Sequence, residues 1–205
     1  MQPANRSPDS PFDPAAGLFL AQDRRPARLQ AVLPAELSPL QRALLVIDGT
    51  VTTFLEAWAL EPVVVTPLVQ RMTTLPSGLL SAATASEWLD APAGTPVLER
   101  SVMLTGARGP RLFVFAESVI CTQRLPAPMQ EGLLTGGRSL GQLLLTPGFE
   151  SRREALWYGR ERVTGLPPEV AAFTNGDFLT RTYRVSAASQ PLMLITERFP
   201  WSPDS

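Results

Sequence analysis

The sequence predicts an α+β fold, one antiparallel sheet of about six strands with its helices gathered on one side. Three observations carry this. Residues 97–105 and 111–121 are strand-like runs joined by Gly106-Ala107-Arg108-Gly109-Pro110, and residues 178–186 and 192–199 form a second hairpin around residues 187–191. Between them, helix signals are short and separate, with no βαβ alternation.

In chain order, residues 1–27 are rich in Pro, Asp and Ala without periodicity and are expected to form a mobile tail, leaving one domain over 28–205. Ser38-Pro39-Leu40-Gln41 combines a serine cap, proline at the first helical position and glutamine at the third, so a helix is expected over 38–47. Asp48-Gly49-Thr50 breaks and recaps the chain, and a second helix follows over 51–59. The β-branched content of residues 63–72 switches the pattern to a strand. A helix is expected over 79–89, then the first hairpin, then two helical pieces over 126–146 broken at Gly136-Gly137. Residues 152–163 form a further strand before the last hairpin.

Composition excludes much chemistry. The chain has 205 residues, a formal net charge of -1, no histidine, and no lysine, since all 18 basic residues are arginine. Histidine triads, histidine metal ligands, Schiff bases and a phosphate-loop lysine are therefore out. One cysteine, Cys121, permits neither an internal disulfide nor a cysteine-rich zinc site. A near-neutral charge argues against a nucleic-acid partner. No apolar run reaches the ~20 residues of a membrane span, and no secretory signal is visible. A soluble, cytoplasmic protein is expected.

Strand alternation exposes two charges on apolar faces. Arg100 shares a face with Leu98, Val102 and Leu104, and Glu197 shares one with Met193, Ile195 and Phe199. Removing the partner of a buried charge costs roughly 3 to 5 kcal/mol, so both need partners. They pair with each other across the sheet, or they line opposite ends of a closed pocket, the arginine receiving a carboxylate through its planar fork. Alternation alone does not separate these readings. Glu117 lies with Phe113, Phe115 and Val119 and is expected to be structural, as the arginine's partner or an edge charge. Gly136-Gly137-Arg138-Ser139-Leu140-Gly141 and Thr50-Val51 each open a helix with free backbone N–H groups, a weak anion-site signal next to the plainer reading of a glycine turn. Trp58, Trp88 and Trp157 read as packing, and Arg152-Arg153 and Arg160-Glu161-Arg162 as solvated strand charges or edge protection.

Taken together, these blocks resemble the chorismate pyruvate-lyase family, which makes 4-hydroxybenzoate for quinones and related aromatic products. The resemblance runs from about Ser38 to Pro200. It is carried by Val97-Leu98-Glu99-Arg100-Ser101-Val102, Phe115-Ala116-Glu117-Ser118, Ser139-Leu140-Gly141, Arg181-Thr182-Tyr183-Arg184-Val185 and Thr196-Glu197-Arg198-Phe199-Pro200. It is similar to the divergent, longer branch of that family. The resemblance implies a chorismate lyase-like sheet with helix-turn-helix flaps closing over an internal site, with chorismate as substrate and no cofactor; the flaps and the lack of disulfides are compatible with a monomer. It places Arg100 on the carboxylate-binding arginine, Glu197 on the carboxylate near the product hydroxyl, and Val51 and Leu140 where backbone helps hold the ligand. The short enterobacterial type has Gly-Arg where this chain has Ala116-Glu117, a departure expected to bear on pocket electrostatics.

The main rival is a non-catalytic ligand-binding module, because the effector domains of HutC-type repressors are similar to this fold. The 37 residues before the first helix are too short and Pro-rich for the DNA-binding domain such repressors carry. A chorismate-processing relative with another aromatic product is the second rival.

Overall fold

The structure is a computed structural model that describes residues 12–75, 82–109, 111–134, 140–144 and 148–201. Its helices are α1 (Pro39–Val46), α2 (Val51–Ala59), α3 (Ala82–Leu89), α4 (Ala127–Leu134), α5 (Leu140–Leu144) and α6 (Pro168–Ala171). Its strands are β1 (Val63–Thr74), β2 (Pro96–Gly106), β3 (Leu112–Ile120), β4 (Arg152–Arg162), β5 (Asp177–Ala187) and β6 (Gln190–Pro200). They form one sheet in the order β1-β2-β3-β6-β5-β4, each neighbour antiparallel.

Local chemistry explains most of these elements. The Ser38 hydroxyl accepts from the Gln41 N–H at 3.3 Å while the Gln41 side chain accepts from the Ser38 N–H at 3.0 Å, closing the expected capping box at the start of α1. The last hairpin turns on Ala188 and Ser189, with φ of 48° and 63°, the left-handed pair that a two-residue hairpin loop of matching twist needs. Gly136-Gly137, expected to break the helical stretch, lies outside the described residues, as do residues 79–81.

The sheet is covered on both faces. Over one face, α1 and α2 contribute Leu44, Leu45, Val51 and Leu55 to a core with Val102, Leu104 and Val114. On the same face α4 and α5 place Met129, Leu133 and Leu144 against Leu98, Ile195 and Val185. These are the two helical flaps. The reverse face is covered as well: α3 packs Ala85 and Leu89 against Val97, Val119 and Leu194, and Val170 of α6 packs against Phe115 and Phe178. The grouping of all helices on one side thus holds for the flaps and not for α3 and α6.

Residues 12–27, expected to be mobile, are docked along the edge strand β4, and residues 1–11 lie outside the described residues. Leu20 and Ala21 N–H donate to the carbonyls of Ala155 and Leu156 at 2.9 Å, while Gln30 and Arg160 exchange both backbone hydrogen bonds. A Cβ on Gly159 would lie 2.6 Å from the Gln30 carbonyl oxygen, so this close approach requires glycine. The segment buries Ala15, Ala21 and Leu29 and covers an edge that would otherwise present unpaired backbone groups. Irregular backbone docking leaves no periodicity, which is why composition alone suggests a tail.

Candidate functional site

Antiparallel register brings residues from several strands into rows. One row on the flap-covered face runs Arg100, Ser118, Ile195, Tyr183 across β2, β3, β6 and β5; the next runs Val102, Ala116, Glu197, Arg181. Arg100 and Glu197 thus stand two strand spacings apart, ~10 Å laterally, on the same face. Between sheet and flaps lies a cavity with about 660 Å³ of empty space, a figure that takes in its open mouth. Arg100, Glu197, Tyr183 and Arg153 line it beside apolar Val65, Val102, Leu104, Val114 and Ile195.

The two flaps close it from above. Val51 begins α2 and Leu140 begins α5, and both line the cavity, so each presents a first-turn backbone end that lacks an intrahelical partner for its N–H. The flaps meet at Gly141, where a Cβ would stand 2.8 Å from Thr50 Cγ2. Gly141→Ala is therefore expected to wedge the seam open and cost ~1–3 kcal/mol of closure. Thr50→Ser, which removes that methyl, should restore ligand affinity in the double variant. Titration of both variants with ligand checks this, and a Gly141→Ala protein that binds normally contradicts it.

Arg100 is 6% exposed and, among the described residues, its guanidinium makes no hydrogen bond or ion pair. Burial without a partner pulls its pKa below the ordinary value. The cross-strand pair with Glu197 does not form. Glu197 instead accepts from Arg181 Nε at 2.8 Å through one oxygen and from the Tyr183 hydroxyl at 3.1 Å through the other. Arg181 also donates to the carbonyls of Leu45 and Ile47 at 3.3 and 3.0 Å, tying the end of α1 to the acid. The cavity thus has at one end a cation with no partner among the described residues and a hydrogen-bonded carboxylate at the other.

Burial, with the Glu197 charge adding to it, raises the Tyr183 pKa far above its ordinary value, against a smaller opposing effect of Arg181 and Arg153. Tyr158 is raised too, by burial and then Asp13, with Arg25 opposing. These are the chain's two tyrosines. A folded value above the unfolded one means their stabilising contribution is complete below about pH 10 and is lost as pH climbs through the unfolded value toward the folded ones. Native protein should therefore show less phenolate absorbance at about pH 10.5 than urea-unfolded protein, with Tyr183 the more strongly protected of the two. Equal ionisation of native and unfolded protein at that pH contradicts this.

Several sequence expectations change. Glu117 is structural, but on the reverse face: it binds Arg198 Nη1 at 2.5 Å, and Arg198 Nε binds Glu161 at 2.9 Å. Ala116 lines the cavity and Glu117 points away from it, so the Ala116-Glu117 departure puts no acid into the site. Glu161, read as solvated, is 4% exposed and held by Arg198 and Arg28. Arg153, also read as solvated, lines the cavity. Of the glycine motif, Leu140 and Gly141 reach the site, and residues 136–139 lie outside the described residues. Among the described residues, no three Asp, Glu or Cys side chains gather closely enough to hold a metal ion, and no helix is long and apolar enough to cross a membrane.

The flap-covered six-stranded antiparallel sheet, with a cavity between sheet and flaps, is the chorismate lyase-like fold. The chain belongs to the family described as chorismate pyruvate-lyase Rv2949c-like, whose profile matches residues 45–203. It is 31% identical over 164 residues to a protein of Mycobacterium tuberculosis named chorismate pyruvate-lyase, covering 77% of this chain and 78% of that protein. A protein of the same name from Mycobacterium leprae is 29% identical, over 77% of this chain and 72% of its own. Among solved structures, the C-terminal domain of a histidine utilization repressor from Pseudomonas syringae superposes with a TM-score of 0.51 at 13% identity, covering 70% of this chain and 94% of that domain. The effector domain of PhnF from Mycobacterium smegmatis gives 0.51 at 15%, covering 74% and 88%. At these identities the likeness is one of fold.

Proposed function

We propose that this protein is a chorismate pyruvate-lyase that converts chorismate to 4-hydroxybenzoate and pyruvate within the cavity. The observation that carries the reading is the buried Arg100 guanidinium, without a partner among the described residues, facing a cavity whose other end is the Glu197 carboxylate. A ring carboxylate on Arg100 supplies the missing counter-charge through two charge-assisted hydrogen bonds. The first-turn backbone of α5 at Leu140 and of α2 at Val51 adds donors to the bound ligand. Glu197 accepts from the ring hydroxyl, opposite the carboxylate, and its orientation is fixed by Arg181 and Tyr183.

The reaction asks little of the protein. The ring carbon bearing the hydroxyl gives up its hydrogen as a proton, and that electron pair becomes the last double bond of the aromatic ring. The adjacent ether bond breaks, and the enolpyruvyl group leaves as the enolate of pyruvate, which takes up a proton at its methylene carbon. Aromatisation supplies the driving force. A dry cavity that holds one reactive conformer and stabilises the departing oxyanion then accounts for acceleration without a strong acid or base.

The test is incubation of purified protein with chorismate, following pyruvate by coupled assay and the aromatic product by absorbance. Stoichiometric pyruvate and 4-hydroxybenzoate support the reading. Binding of chorismate without turnover replaces it with a ligand-sensing module, and a different aromatic product makes the protein another chorismate-processing enzyme.

A further inference from the structure

We infer that Arg153 is a second anion receptor that holds the carboxylate of the departing enolpyruvyl group. This deepens the lyase reading and rests on it. Arg153 sits on β4, four strand spacings from Arg100, ~19 Å of backbone on the far side of the same cavity. Both side chains reach into that cavity from opposite walls. Among the described residues, Arg153 makes a single hydrogen bond, from Nη1 to the Asp48 carbonyl at 2.5 Å, and no ion pair. Its Nε and Nη2 remain available, which is the edge a carboxylate takes in a bidentate pair.

Charge balance points the same way. Around the cavity, Arg100, Arg153 and Arg181 face one carboxylate, Glu197, which Arg181 already pairs. Two guanidinium groups are left without a counter-ion among the described residues. A ligand with one carboxylate satisfies one of them, whereas chorismate, with a ring carboxylate and an enolpyruvyl carboxylate, satisfies both.

Position adds the third argument. Arg153 and Tyr183 also line an adjoining cavity formed by Leu18, the end of α1 and Asp48, whose carboxylate is exposed. The Glu197 end of the ligand, where the ether lies beside the hydroxyl, therefore opens toward Arg153 rather than toward Arg100. A negative charge developing on the departing enolate and its carboxylate meets a fixed positive charge there. The side chain is also tethered to the turn between α1 and α2, so ligand contact and flap position share one group.

The experiment compares wild type, Arg153→Met and Arg153→Lys with two probes. Chorismate is followed by its KM, and 4-hydroxybenzoate, which lacks the second carboxylate, by its Kd from tryptophan fluorescence. Losing one charge-assisted contact should raise the chorismate KM of Arg153→Met by about 10- to 100-fold while the 4-hydroxybenzoate Kd stays within about twofold. Arg153→Lys should recover part of the loss. An Arg153→Met protein weakened equally toward both probes makes Arg153 a flap anchor and overturns the assignment, as does one unaffected toward chorismate. If wild type binds chorismate without releasing pyruvate, the lyase reading fails. The Arg153 assignment is then judged on the chorismate Kd alone, and it stands if Arg153→Met still discriminates against the dianion.

Discussion

Arg100→Met is expected to reduce pyruvate release from chorismate by about 10²- to 10³-fold without lowering the melting temperature. Truncating one member of a buried charged pair costs ~2–5 kcal/mol of binding, at tenfold per ~1.4 kcal/mol, because the ligand carboxylate is left in the cavity without its donor. Stability should go the other way. In the unliganded protein Arg100 is buried and has no partner among the described residues, so the folded state bears a desolvation penalty that methionine of similar length removes. The melting temperature of the variant should match or exceed that of wild type, and 4-hydroxybenzoate should no longer raise it. Calorimetry with and without ligand, beside the pyruvate assay, decides this. Wild-type turnover by the variant removes Arg100 from the site. A variant several degrees less stable means that the guanidinium holds the fold together rather than the ligand.

The opposed behaviour of Arg100 and the rest of the charged cluster shows what alternation reveals and what it hides. A single charge on an otherwise apolar strand face is visible in sequence, and that signal marks Arg100 and Glu197. The same signal is present in the set Leu179, Arg181, Tyr183 and Val185, which is where Glu197 finds its actual partner. Pairing across strands depends on which strands are neighbours. β6 lies between β3 and β5, so Glu197 is opposite Arg181 on one side and Ala116 on the other, and no periodicity announces that. Arg153 is hidden for a different reason. A bulge between Ala155 and Trp157 shifts the register of β4, so its faces cannot be sorted by counting in twos. Glu161 is concealed by the docked segment at residues 20–30, whose Arg28 reaches over the edge strand to bind it. Helix starts and the hairpins, by contrast, are set by local chemistry at Ser38, Gln41 and the turn at residues 188–189, and are legible for that reason.

Glu197→Gln is expected to be costly to both fold and function, in contrast to Arg100→Met. Arg181 is 7% exposed in its side chain and has Glu197 as its carboxylate partner. Removing that charge leaves a guanidinium buried among the Leu45 and Ile47 carbonyls with no counter-ion, a loss of ~3–5 kcal/mol. For a domain of this length each kcal/mol shifts the melting temperature by ~2–4 °C, so a fall of ~6–20 °C is expected. Because the same arginine fixes the end of α1, the flap should loosen with it, and hydrogen exchange at residues 43–48 should quicken. Arg181→Met combined with Glu197→Gln should recover much of the stability, since the uncompensated charge is gone, but none of the activity. Activity in the single variant should fall together with affinity for 4-hydroxybenzoate, because hydroxyl recognition is common to substrate and product. A Glu197→Gln protein that binds the product as wild type does while turnover alone collapses would make the carboxylate a proton acceptor rather than the group that orients the ring. A variant with an unchanged melting temperature would mean that Arg181 needs no counter-charge, and the account of how the acid is held would fall.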